Sequence, residues 1–213
     1  MARRVKPEGS LDLRAARVAD TEERILRAAS ELFVERGYAA TTLAAVAESA
    51  RVGARTVYVR FGTKAVLLKR AVDVALVGDT AEVDVRGRDW FQVSLNAPTA
   101  AERIAASTRG ARDMMARVGP LLRVAQEAEA VEPEIAAAAQ AGREYTRDSV
   151  RLFWERMSSD GLLPPGCDVD WLADTTSVLA HGDTYVTITR TMHWTPEQYE
   201  DWLTTTWTRL SGV

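Results

Sequence analysis

The chain has 213 residues, enough for one large domain or two small ones, and 46% of them are hydrophobic, which excludes a wholly disordered protein. Its single cysteine, Cys167, excludes an intramolecular disulfide and fits the reducing cytoplasm. Residues 1–20 lack the apolar stretch of a signal peptide, and no apolar run reaches the roughly 18 residues of a membrane span, so we expect a cytoplasmic chain without membrane contact.

The net charge of −3 conceals a division into a basic and an acidic part. Residues 1–70 contain 14 lysines and arginines against 8 acidic residues, whereas the remainder contains 13 against 22. A basic segment joined to an acidic body indicates a local module that binds a polyanion. Charge alone equally allows a chance fluctuation of a solvated surface.

Four helices are predicted in the first third of the chain, after a flexible basic arm at residues 1–19. The spacing of Asp20 and Glu23 indicates a capping box, apolar residues follow at helical intervals, and Gly37 ends this first helix, at roughly 21–36. Three shorter helices are expected at about 42–49, at about 54–60 after a turn over 50–53, and from Lys64 onward.

Five further helices are predicted beyond a long connection over residues 78–98. The Gly119-Pro120 pair should break or kink the first of them, because proline has no backbone N–H to donate. The expected segments are 99–118, a short helix to about 130, 133–160, 168–192 and 195–210. With about nine helices and no convincing strand, the chain is predicted to be all-α.

The order of a long helix, a short helix, a tight turn and another short helix is typical of a helix-turn-helix domain. On the second short helix, Val57 and Phe61 should point inward. The outward positions then carry side chains that suit DNA bases and phosphates: Arg55, Thr56, Tyr58 and Arg60. Lys64, at the start of the next helix, is a further candidate for phosphate. The alternative is a solvated basic face on a packed helix.

Two segments resemble the TetR/AcrR-type regulators: ILRAASELFVERGYAATTLAAVAESA at 25–50 and TVYVRFGTKAVLLKRAV at 56–72. The run T-x-Y-x-x-F-x-x-K within the second segment is specific in this context. The resemblance implies that Thr42 and Lys64 meet phosphate and that the outward side chains of the second short helix lie in the major groove or on its rim. Framework roles are implied for Phe33, Gly37, Tyr38 and Phe61.

The turn departs from the family pattern at two positions. Arg51 stands where the family usually has glycine, and it is a candidate for an added phosphate contact. Gly53 stands where serine usually caps the recognition helix, and glycine is a tolerable cap. These departures leave the predicted fold unchanged, but base-level specificity cannot be derived from them.

The resemblance also implies a division into a DNA-binding domain at 20–66 and a ligand-binding and dimerisation domain at 67–213. The last two helices would pair with those of a second copy in a four-helix bundle. Their apolar and small residues recur every three or four positions, and we expect the homodimer interface at Leu172, Leu179, Gly182, Val186, Trp202 and Thr206. The alternative is that these stripes face the subunit's own core.

A pocket for a small, mainly apolar effector is expected among aromatic residues and methionines of the second domain. The candidates are Met114, Met115, Tyr145, Phe153, Trp154, His181 and Tyr185. Each of them has the alternative of being plain core, and His181 is either a polar anchor or bonded to a backbone carbonyl. Two histidines and one cysteine without a metal-site spacing predict neither a metal nor another cofactor.

Motifs of the common enzyme classes are absent, so no catalytic residue is predicted. An enzyme with carboxylates in its core and a constitutive architectural DNA-binding protein are the alternatives. The sequence predicts a ligand-responsive repressor that binds a near-palindromic, double-stranded operator as a homodimer and is released by its effector. Repression and activation share the motif, and neither the operator nor the effector can be derived from the sequence.

Overall fold

The computed structural model describes residues 9–78 and 85–213, and within them the regular structure is helical, with ten α-helices. The chain divides into two compact units, Met1–Ala71 and Val72–Val213. The boundary that the sequence places after residue 66 lies in the same helix as this division. None of the described helices is long and apolar enough to cross a membrane. The predicted all-α class is confirmed.

The first unit contains three helices and the beginning of a fourth: α1 at Gly9–Ala40, α2 at Leu43–Ser49, α3 at Ala54–Phe61 and α4 at Lys64–Val77. Gly37 interrupts α1 with φ 77° and ψ 174°, as the predicted stop requires. The predicted start of the first helix near residue 21 is wrong, because α1 already includes residues 9–19 of the predicted flexible arm, and neither glycine nor proline interrupts the segment from Ser10 to Arg36. Residues 1–8 of that arm lie outside the described residues.

One apolar stripe on α1 forms the centre of the first unit. Ile25, Ala29 and Phe33 are fully buried, and they recur at the four-residue interval that places side chains on one helix face. Val46 of α2 and Val57 of α3 are fully buried as well. Burial of such a side chain stabilises a fold by about 1.5–3 kcal/mol, so this shared core fixes the two short helices against α1.

The second unit contains the end of α4, a short 3-10 turn at Val85–Gly87 and six further helices: α5 at Asp89–Asn96, α6 at Ala100–Glu129, α7 at Pro133–Ser159, α8 at Val169–Ala180, α9 at Gly182–Thr191 and α10 at Pro196–Ser211. Thr99 and Thr195 each begin a helix with a complete capping box, as their spacing predicts. The core contains Phe153, Trp154 and Trp207, whose rings lie 4.8–5.6 Å apart between centroids.

Helix α5 lies inside the segment that the sequence predicts to be a long connection. Phe91 and Ser94 are buried on its inner face. Trp90 lies against Gly110 of α6, where an added Cβ would come within 2.0 Å of the indole ring. The helix therefore depends on a glycine in another element, which the local pattern of charges and β-branched residues does not reveal.

Helix α6 runs through Pro120, so the predicted division of this segment into two helices is wrong. Pro120 cannot donate to the carbonyl oxygen of Ala116 one turn earlier. Both residues are exposed, so water can take the place of the missing donor. The lost bond consequently costs too little to end the helix.

The helix predicted over 168–192 is instead two helices that meet at His181. His181 has an extended backbone, with φ −63° and ψ 145°, and it caps α9. The hydroxyl of Thr184 donates to the carbonyl oxygen of Val178 over 2.6 Å, which satisfies one of the free carbonyl groups at the end of α8. The break is therefore stabilised locally and is not a frayed end.

Candidate DNA-binding surface

The turn between α2 and α3 is held by a side chain of α1. Arg24 Nη2 donates to the carbonyl oxygens of Ala50 at 2.6 Å and of Arg51 at 3.2 Å. Arg51 adopts the left-handed conformation, with φ 54°, which explains why glycine is typical at this position of the family motif. Its side chain is exposed, and its contact with phosphate stays a prediction.

Helix α3 turns one face inward and the opposite face to solvent. Val57 and Phe61 are buried as predicted, whereas Tyr58 is 66% exposed and Val59 is 71% exposed. Because successive residues turn by about 100° around the helix axis, Arg55 and Val59 lie farthest from the buried stripe. The surface of α3 that can enter a groove therefore centres on these two residues.

Arg55 is exposed, and within the described part of the chain no residue pairs with its guanidinium. Thr56, one position on, is half-buried beside it. A guanidinium with all its donors free is the group that binds guanine in a bidentate manner. Arg55 is thus the side chain of α3 that is best placed for a base edge.

Arg60 has a partner inside the unit. Its Nη1 lies 3.3 Å from Glu22 Oε2 on α1, and the other carboxylate oxygen of Glu22 lies 3.3 Å from Nε of Arg70 on α4. The sequence gives no sign of this role of Glu22, because its partners lie 38 and 48 residues away and no local pattern connects them. The two arginines of the recognition helix therefore differ in their freedom to contact DNA.

Two other residues that are predicted to contact phosphate also form hydrogen bonds that stabilise the first unit. Thr42 Oγ1 caps α2 by accepting from the backbone N–H of Ala45 at 3.1 Å, which leaves its hydroxyl proton available. Lys64 Nζ donates to the carbonyl oxygens of Tyr38 at 2.7 Å and Ala39 at 3.4 Å, and it lies 4.1 Å from the centre of the Tyr38 ring. Phosphate contacts by Thr42 and Lys64 stay predictions.

Five of the seven predicted effector residues lie in or against one hydrophobic core cluster, and their contact with an effector stays a prediction. Phe153, Trp154, Met115 and Tyr185 are buried in the core, and Met114 and His181 are half-buried. Tyr145 lies apart from the core aromatics, under the guanidinium of Arg86 at 4.4 Å. An open depression of about 520 Å³ is lined by other residues: Glu155, Ser158, Ser159, Cys167, Asp168, Val169 and Asp170.

The buried polar atoms of the second unit without a hydrogen-bond partner among the described residues include three on ring side chains: His181 Nε2, Tyr199 Oη and Trp207 Nε1. Burial lowers the pKa of His181 and raises the pKa of Tyr199. Leaving such a group unsatisfied costs about 1–3 kcal/mol. Tyr199 and Trp207 were not among the predicted effector residues, since a helical stripe does not distinguish an unsatisfied polar atom from ordinary core.

Half of the predicted interface residues lie inside the subunit. Leu172 is fully buried and Val186 nearly so, and a Cβ on Gly182 would come 2.5 Å from Leu122 Cδ1 of α6. These three residues pack on their own chain, so their assignment to an interface is corrected. Leu179, Trp202 and Thr206 are half-buried, and their contact with a second copy stays a prediction.

Residues 25–71 match the family model described as bacterial regulatory proteins, tetR family. None of the curated proteins matches the chain in sequence. Among solved structures, NalD, the secondary repressor of the MexAB-OprM multidrug efflux pump in Pseudomonas aeruginosa, has a TM-score of 0.62 at 20% identity, with 89% of this chain and 95% of NalD covered.

Two further structures have the same fold. The SmeT–triclosan complex has a TM-score of 0.68 at 18% identity, with 89% of this chain and 90% of SmeT covered. A TetR-like transcriptional regulator from Rhodococcus sp. RHA1 has a TM-score of 0.59 at 16% identity, with 91% and 97% covered. Residues 25–71 are therefore similar to the DNA-binding segment of tetR-family regulatory proteins, and the chain has the all-helical fold of these solved regulators.

Proposed function

We propose that the chain is a ligand-responsive repressor that binds a near-palindromic operator as a homodimer. The observation that carries this proposal is the outward face of α3, where Arg55 is unpaired beside the exposed Tyr58 and Val59. The buried Val57 and Phe61 hold the opposite face of the same helix. A rigid helix that presents a free guanidinium suits the major groove, where arginine distinguishes guanine from the other bases.

A dimer would place two copies of α3 in successive major grooves, one helical turn apart. Its interface is proposed at the outer side of α8 and α10. Trp171 and Val178 are 51% and 56% exposed, and their seven-residue spacing places them on one face of α8. The proposed interface joins them to the half-buried Leu179, Trp202 and Thr206, and exposed apolar side chains of this kind on soluble proteins mark interaction sites.

The proposed effector is a small, mainly apolar molecule with a hydrogen-bonding group. The unsatisfied atoms of His181, Tyr199 and Trp207 support it, because a ligand that reached them would relieve the cost of their burial. Among the proteins with the same fold, SmeT forms a complex with the small molecule triclosan, and NalD represses an efflux pump. Release of DNA requires that the effector bind more tightly to the arrangement of helices that does not fit the operator.

Selection of DNA from a random pool by the purified protein tests the proposal. We expect a two-fold symmetric site whose half-sites are about one helical turn apart. Recovery of unrelated sequences would contradict operator binding. A thermal-shift screen of apolar compounds should then find one that both raises the melting temperature and releases the selected DNA, whereas an architectural DNA-binding protein would have no such compound.

A further inference from the structure

Glu22 holds the recognition helix and α4 together through one carboxylate. Oε2 contacts Nη1 of Arg60 and Oε1 contacts Nε of Arg70, each at 3.3 Å. The exposed fraction is 29% for the side chain of Glu22 and 23% for that of Arg60, so the pair is shielded from most of the solvent. An ion pair in such a place is screened by salt less than a pair at the open surface.

The position of Arg60 around the axis of α3 determines where the ion pair with Glu22 holds its guanidinium. Arg60 precedes the buried Phe61, and it lies on the flank of the helix, away from the outermost Arg55 and Val59. Glu22 belongs to α1, whose Ile25, Ala29 and Phe33 are buried inside the unit. The ion pair therefore draws the guanidinium of Arg60 toward the body of the unit and away from the face that can enter a groove.

We propose that Glu22 is a specificity-determining residue, which keeps Arg60 from binding DNA phosphates so that the free Arg55 dominates recognition. This inference rests on the proposed DNA binding. Phosphate contacts strengthen binding to all sequences alike, whereas contacts with base edges distinguish one sequence from another. Without the carboxylate, Arg60 and Arg70 would stand close together as two unneutralised cations, and their repulsion would turn Arg60 outward toward the phosphates.

The test compares Glu22→Gln with Glu23→Gln on the selected operator and on a random-sequence duplex of equal length. Both variants remove one negative charge from the same turn of α1, but Glu23 is exposed and has no ion pair in the described structure. We expect Glu22→Gln to bind the random duplex several-fold more tightly, with a smaller preference for the operator. Its salt slope should steepen by about 0.9 for each new phosphate contact, that is, by about twice this value for a dimer. Equal effects of the two substitutions would overturn the proposal.

A double variant shows whether the gain passes through Arg60. Glu22→Gln combined with Arg60→Ala should bind the random duplex no more tightly than Arg60→Ala alone, and a gain that persists in this background would overturn the proposal. The Arg60→Ala protein also gives an answer that does not depend on how well the Glu22→Gln protein folds. Its salt slope should equal that of the parent chain, and a shallower slope would show that Arg60 already meets phosphate.

The same measurements separate this inference from the proposed function. If the parent chain selects no DNA sequence, the proposed function fails, and the inference fails with it. If the parent selects an operator and Glu22→Gln keeps the same ratio of operator to random-duplex affinity, operator binding stands and only the role of Glu22 is refuted. Melting temperatures of all variants establish that the affinities compare folded proteins.

Discussion

The ammonium nitrogen of Lys64 donates a hydrogen bond to the carbonyl oxygen of Tyr38 over 2.7 Å and lies above the ring of the same residue. Tyr38 follows the break at Gly37, and its carbonyl oxygen also accepts a hydrogen bond from the backbone N–H of Thr41 at 3.3 Å. A cation at this place donates to a carbonyl oxygen and is attracted by the negative, C-terminal end of the helix dipole. Lys64 thus joins the end of α1 to the beginning of α4.

We predict that the main effect of Lys64→Ala is to destabilise the first unit, and that the number of phosphate contacts stays nearly unchanged. Loss of a hydrogen bond from a charged donor costs about 1.5–3 kcal/mol. Amide hydrogen exchange in α1 to α3 should report this loss separately from the second unit. Arg27→Ala, which removes an exposed cation of α1, should change stability by less than about 0.5 kcal/mol. An unchanged stability together with a shallower salt slope would show instead that Lys64 is mainly a phosphate ligand.

Gly182 is predicted to be required by the fold of the subunit and not by its assembly. A Cβ at this position would force the half-buried side chain of Leu122 to move, and a side chain displaced from its preferred rotamer costs about 0.5–1.5 kcal/mol. Gly182→Ala should therefore lower the free energy of unfolding, while sedimentation shows the oligomeric state of the parent.

Gly142→Ala is the matched control for this prediction. Gly142 lies within α7, and an added Cβ there meets no heavy atom within 4 Å. This substitution should stabilise the chain by about 0.5–1 kcal/mol, because alanine favours the helix. A Gly182→Ala protein that dissociates while each subunit keeps its stability would return Gly182 to the interface.

The stability of the second unit is predicted to fall as the pH drops below about 6.5. Burial lowers the pKa of His181, and Asp183 and the backbone of Arg143, which favour the protonated imidazole, do not offset it. Because the unfolded chain then binds the proton at a higher pH than the folded chain, acid favours unfolding. His181→Asn should remove this contribution, which amounts to the uptake of at most one proton.

His193→Asn serves as the control for the pH experiment. His193 is exposed and has φ 56°, a conformation that asparagine also tolerates. Denaturant unfolding of both variants between pH 5 and pH 7.5 should show the parent's pH dependence in His193→Asn and a weaker one in His181→Asn. An identical dependence in all three proteins would mean that His181 takes up its proton equally in the folded and unfolded chains.

The helices of the first unit could be predicted because each of them buries a periodic apolar stripe. Ile25, Ala29 and Phe33 mark the inner face of α1, and Val57 and Phe61 mark that of α3. The helix-turn-helix arrangement follows from these stripes together with the turn. The outward positions of α3 follow as well, since they are the complement of the buried ones.

The remaining features depend on contacts between residues that are distant in sequence. The bond of Lys64 to Tyr38 spans 26 residues and that of Arg60 to Glu22 spans 38, so helical spacing gives no sign of them. Gly182 looks like a small residue at a helix interface, yet its neighbour is Leu122 of the same chain. Periodicity identifies the buried side of a helix but not which element, or which copy of the chain, covers it.

The last prediction concerns which arginine of α3 distinguishes bases. Arg55 lies on the outermost part of the helix with its guanidinium unpaired in the described structure, whereas Arg60 pairs with Glu22. Tyr58 has a single hydroxyl, which suits a phosphate oxygen, and the exposed Val59 has no hydrogen-bonding group beyond an apolar contact with a thymine methyl. Recognition of guanine should therefore depend on Arg55.

Repeating the DNA selection with Arg55→Ala and with Arg60→Ala checks this assignment. Arg55→Ala should lose the preference at one symmetric pair of operator positions, with a cost of about 1–3 kcal/mol for each half-site. Arg60→Ala should select the same bases as the parent. If Arg60→Ala is the variant that loses a preference, the ion pair between Arg60 and Glu22 must open when the parent chain binds DNA. Glu22 would then hold Arg60 only in the free protein and would not keep it from the bases. If both variants keep every preference of the parent, the operator is distinguished by the shape and deformability of its DNA or by basic residues of segment 1–19 in the minor groove, since no other side chain on the outer face of α3 offers two parallel donors to a base.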